Sequence, residues 1–118
     1  MLCLASAELP SKEELISMID RKYEIEKRDK KCETLSELGR VFMKSRQLGV
    51  SFETLYGSVD KGTFPDDMKV KERQMIIQAF NYPRYEIESD QFKVSEKFHL
   101  QAFLECREKG LSENWNLK

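Results

Sequence analysis

The sequence predicts a mainly α-helical fold: a compact bundle of about five helices, with a helix-turn-helix at its centre and a small β-hairpin before the last helix. Three observations carry this. Apolar residues recur three and four positions apart over most of the chain, the period of one helix face. Hydroxyl caps and glycine stops punctuate those runs. Of the 118 residues, 35% are charged and 40% apolar, a balance that suits a globular protein with much exposed helix. The length suits a single domain over 1–118, with residues 1–10 as a lead-in and 111–118 as a tail.

Ser11-Lys12-Glu13-Glu14 forms a capping box that starts the first helix, on which Leu15, Ile16, Ile19 and Tyr23 make one face. From Asp20 to Glu33 nearly every residue is charged, bases and acids in near balance. That balance fits a solvated helix face better than a basic arm for nucleic acid. Thr34-Leu35-Ser36-Glu37 is a second capping box, so a break is expected near residue 33, although one continuous helix from 12 to 48 stays open.

Val41, Phe42, Ser45 and Leu48 share a face, and Gly49 follows where a left-handed residue closes a helix. Ser51 caps a short helix whose buried stripe is Leu55 and Val59. This is helix-turn-helix grammar. Beyond it, Asp60 to Asp67 is turn chemistry, and Asp66 or Asp67 is expected to cap a helix burying Met68, Met75, Ile76, Ala79 and Phe80. Tyr82-Pro83 stops that helix. Tyr85 and Ile87, then Phe92 and Val94 after a Ser89-Asp90 turn, read as the hairpin. Ser95 is expected to cap the last helix, which ends at Gly110 with Leu111 closing it. Its apolar residues cover more than one stripe, so it lies mid-core or meets a partner such as a second copy.

The run Leu48-Gly49-Val50-Ser51-Phe52-Glu53-Thr54-Leu55-Tyr56, with Lys61-Gly62-Thr63-Phe64-Pro65, resembles the DNA-binding module of excisionase-type and MerR-type regulators. The resemblance covers residues 41–65. It implies a small transcriptional regulator, dimeric, with Thr54 and Tyr56 toward the groove of duplex DNA and Lys44, Arg46 and Lys61 toward phosphates. The sequence departs from that pattern after the tyrosine, where Gly57 and Ser58 replace a basic or aromatic pair. Between 41 and 73 the bases exceed the acids by one only, and Phe52–Val59 holds no base. Base reading needs donors and phosphate binding needs cations.

A net charge of −1 and a pI near 5.9 argue against a general binder of nucleic acid or anionic membranes. No run approaches a membrane span, and Met1–Ala7 lacks the basic flank and length of a secretory leader. Cys3, Cys32 and Cys106 have no paired spacing, which predicts free thiols and a cytoplasmic protein. His99 is the one histidine, and Cys106 stands seven residues away on the same helix, about 10 Å along its axis. That distance forbids a dyad. A site of three cysteines and one histidine lacks the close pair that zinc uses. Glu96-x-x-His99 has no second copy to complete a di-metal site, and no glycine-rich phosphate loop is present. No enzyme, cofactor or metal is expected. The rival to DNA binding is a protein-binding adaptor or inhibitor that uses Leu100, Leu104 and Trp115.

Overall fold

Ser11 accepts a hydrogen bond from the Glu14 amide at 3.1 Å, and from that cap a single helix runs for 36 residues. The structure is a computed structural model that describes residues 9–118. Among the described residues there are four helices and no strand: α1 (Lys12–Gln47), α2 (Phe52–Lys61), α3 (Asp66–Ala79) and α4 (Glu88–Lys109). Cys3 and the reading of Met1–Ala7 fall outside the described residues.

The expected break near residue 33 does not occur, and this accounts for four helices where five were expected. Thr34 Oγ1 donates to Lys30 O at 3.2 Å and Ser36 Oγ to Glu33 O at 3.0 Å, so both hydroxyls turn back on the helix's own carbonyls. Cys32, Leu35, Ser36, Gly39, Phe42 and Met43 form one unbroken buried stripe through the supposed junction. Packing along that stripe sustains the helix where a local cap could have ended it. Gly39 lies inside the helix because α3 and α4 press on it: a Cβ there would stand 3.3 Å from Met75 Sδ and 3.5 Å from Phe98.

Helix α4 lies antiparallel along the second half of α1. His99 Nδ1 is 3.0 Å from Ser36 O, and Arg40 donates to Glu96 at 2.9 Å. The same pairing joins Cys32 to Cys106 in a disulfide, 74 residues apart in sequence with Cα atoms 5.6 Å apart. The expectation of free thiols is therefore corrected for these two residues. Spacing alone could not show it, because the pairing arises from two helices meeting.

The hairpin expected at 84–94 is also absent. Val94, Ser95, Phe98, Ala102 and Cys106 are the buried residues of α4, a helical repeat that begins inside the supposed second strand. Ser95 is thus not a cap, and its hydroxyl donates to Gln91 O at 2.9 Å. The irregular backbone before α4 needs no partner strand. Buried Gln47 donates to Pro83 O at 2.8 Å and accepts from the Tyr85 amide at 2.7 Å. The cap expected from Asp66 or Asp67 differs as well: Pro65 holds that position, and Asp67 Oδ1 accepts from the Met68 amide.

The tail after Gly110 (φ 72°) folds back over α3 and α4. Gln78 donates to Trp115 O and accepts from the Leu117 amide, both at 3.0 Å. Trp115 and Leu117 complete the core. The molecule is elongated rather than compact. Its extents are 68 × 33 × 18 Å and its radius of gyration 19.8 Å, against about 13.5 Å for a compact domain of this length. The excess comes from the first half of α1, which projects beyond the body.

Candidate functional site

Three surfaces were candidates from the sequence or emerge from the fold: the turn between α1 and α2, the outer face of α4, and the projecting half of α1.

At the turn, local chemistry is as expected. Gly49 has φ 90°, and Ser51 accepts from the Thr54 amide at 3.2 Å to cap α2. Leu55 and Val59 are buried. The candidate side chains are distributed unevenly. Lys44, Thr54 and Lys61 are exposed, with Thr54 Oγ1 2.7 Å from Ser51 Oγ. Arg46 is occupied, donating to Tyr82 O from Nε at 3.3 Å and Nη2 at 3.2 Å while its guanidinium lies 4.8 Å over Phe80. Tyr56 is half-buried, its ring stacked on Phe52 at 5.1 Å with Arg73 6.0 Å away. Arg73 in turn pairs with Asp60. The exposed side of α2 therefore shows Glu53, Asp60 and Lys61, carboxylates outnumbering cations. Lys44 lines a groove against the start of α4 and Arg46 is engaged with Tyr82, so the α1–α2 turn aims no cluster of cations outward.

Leu100 and Leu104 stand one turn apart on the outer face of α4, each 54% exposed. Lys93, Lys97 and Arg107 are exposed on the same side. Arg107 Nε lies 3.2 Å from Asp29 Oδ1 in an ion pair, and the guanidinium is 5.8 Å from the Phe103 ring. An apolar pair ringed by long basic side chains can take an apolar residue of a partner and pair with acids at its edge.

Trp115, the third expected contact residue, is instead inside. It is 5% exposed, its indole Nε1 donates to Gly110 O at 2.7 Å, and Lys71 Nζ sits 4.7 Å over the ring. Lys71 is itself buried, held by Gln74 Oε1 at 2.8 Å and by Glu113 O. Burial, reinforced by the Lys109 charge and opposed by Glu105, pushes the Lys71 pKa below its ordinary value. The Glu105 carboxylate titrates lower than usual, chiefly because the Asn116 backbone amide donates to it, with Lys109 adding to the effect. These groups fasten the tail; they do not face an opening.

The third surface was not anticipated. Every residue from 12 to 28 is exposed, including Leu15, Ile16, Met18, Ile19, Tyr23 and Ile25. The sequence signal was present as the first-helix face of Leu15, Ile16, Ile19 and Tyr23. A groove of about 520 Å³ between the end of α1 and the start of α4 is lined by Arg40, Leu48, Phe92 and Glu96 among others. Its arginine is already paired with Glu37 and Glu96. Among the described residues, no group of three or more histidine, cysteine, aspartate or glutamate side chains could hold a metal ion, and no helix is long and apolar enough to cross a membrane. No protein-family model, curated protein or solved structure matches the chain.

Proposed function

We propose that the chain is a small non-catalytic protein-binding module, with the outer face of α4 as its contact surface. The observation that carries this is the Leu100–Leu104 pair. Each leucine is 54% exposed, the two stand one turn apart on a single face, and Lys93, Lys97 and Arg107 are exposed around them. A partner segment that is apolar at its centre and acidic at its edges complements the face. The reading as a regulator of duplex DNA is supported by the Gly49 turn and the Ser51 cap. It is weakened by the engagement of Arg46 with Tyr82 and by the acidic lean of α2.

Titration of random duplex DNA with the full chain at low salt separates the two. A protein-binding module leaves the DNA unbound. Affinity that falls steeply with salt and is lost in Lys44→Ala/Lys61→Ala would restore the DNA reading, because phosphate contacts release counterions.

The cytoplasmic location rested on three free thiols. With Cys32 joined to Cys106, we infer an oxidising compartment instead, since structural disulfides persist there and are rare in the cytosol.

A further inference from the structure

The projecting half of α1 is about 25 Å of helix with every residue from 12 to 28 exposed. One of its faces has a particular order. Lys12, Leu15, Ile19, Tyr23 and Glu26 follow at steps of three, four, four and three, so they align along one side. That side points away from the core. Ile19 precedes buried Leu35 by a spacing that turns the helix about 160°, nearly to its opposite face.

We propose that this arm pairs with the same arm of a second copy of the chain, antiparallel, about a two-fold axis at Ile19. The sequence of the face is self-complementary in that register and in no parallel one. Ile19 meets Ile19 of the second copy once, on the axis, while Leu15 meets Tyr23 and Lys12 meets Glu26, these two contacts each occurring twice. Lys22 falls opposite Ile16, where its aliphatic stem can cover the isoleucine. A parallel pair would set Lys12 against Lys12 and Glu26 against Glu26, like charges at both ends. Among the described residues Glu26 has only an exposed contact with Lys22 at 4.0 Å, so it is available to a stronger partner. The overlap of 12–26 ends just before Asp29, the first half-buried residue of α1. The two bodies therefore stay clear of each other, and the paired side faces away from α3 and α4. Such an overlap buries less than the ~1,600 Å² of a standard interface, which implies a micromolar, concentration-dependent dimer. This arm is separate from the α4 face, and neither proposal requires the other.

Sedimentation equilibrium of the oxidised full chain over micromolar to submillimolar concentrations tests it. The average mass should climb from 13.9 kDa toward twice that value. Ile19→Glu puts two carboxylates on the axis and should hold the chain monomeric with its thermal transition unchanged, because Ile19 is 66% exposed. Lys12→Glu should weaken association about tenfold, two attractive contacts having become repulsive, and Lys12→Glu/Glu26→Lys should recover it. A wild-type chain that stays monomeric, a dimer that survives Ile19→Glu, or a double exchange that fails to recover association would each overturn the proposal.

Discussion

Removing the Cys32–Cys106 cross-link is the perturbation whose size follows most directly from the structure. The bond joins residues 74 apart, and for a loop of that length the chain-entropy relation gives about 4.5 kcal/mol of stabilisation, acting by limiting the unfolded chain. Both cysteines are 1% exposed, so Cys32→Ala/Cys106→Ala also forfeits packing, while relaxation and residual unfolded-state structure pull the total down. A net loss of about 3–5 kcal/mol is expected, a large share of the ~5–15 kcal/mol that holds a typical domain. Urea unfolding followed by circular dichroism reads it. The midpoint should fall markedly, and the slope should rise because the unlinked chain exposes more surface on unfolding. Equal midpoints for the two proteins, together with alkylation of Cys32 and Cys106 in the native protein without reductant, would refute the reasoning and restore the free-thiol expectation.

Three further outcomes follow from the tail and the α1 terminus. Trp115→Ala should cost about 3–5 kcal/mol, since the ring is 5% exposed and carries both the Gly110 hydrogen bond and the Lys71 contact; thermal or urea unfolding checks it. Lys71 has a folded pKa below its ordinary value of 10.5, with burial the first cause. As pH rises from that lowered value toward the ordinary one, the unfolded chain holds the proton that the folded chain has released. The contribution of Lys71 to stability should therefore increase across that alkaline window, against an opposite contribution from Tyr82, whose pKa burial raises. In Lys71→Met that increment should vanish, and a variant with the wild-type slope would contradict the burial argument. Gln47→Ala leaves the Pro83 carbonyl and Tyr85 amide without their partner and should cost about 1–3 kcal/mol, with faster amide exchange at Tyr85 as the local signature.

Much of the fold was legible wherever the signal was local. The Ser11 and Ser51 caps, the Gly49 turn, the Met75–Ile76–Ala79 stripe and the end at Gly110 depend on residues within a few positions of one another. What escaped the sequence depended on contacts between distant segments. Thr34 and Ser36 look like a capping box, but the buried stripe from Cys32 to Met43 overrides them. Phe92 and Val94 alternate like a strand, yet Val94 begins a helical repeat whose continuation at Phe98 and Ala102 decides the outcome. The disulfide required the antiparallel meeting of α1 with α4. Gln47 reads as an ordinary polar residue near a helix end until the loop at 83–85 is laid against it. Of the candidate contact residues, Leu100 and Leu104 lie outward as an apolar surplus suggests, while Trp115 was captured by Lys71 and the turn at Gly110. No periodicity could have announced that capture.

The protein-contact reading is tested most directly by a photo-crosslinking residue placed at position 100, with a second chain carrying it at exposed Asp60 as the control, in extract from the protein's native source. The expected result is a discrete protein adduct from position 100 alone, suppressed by excess wild-type chain and unaffected by excess Leu100→Glu/Leu104→Glu. Equal labelling from both positions, or competition that ignores the leucine pair, would contradict it.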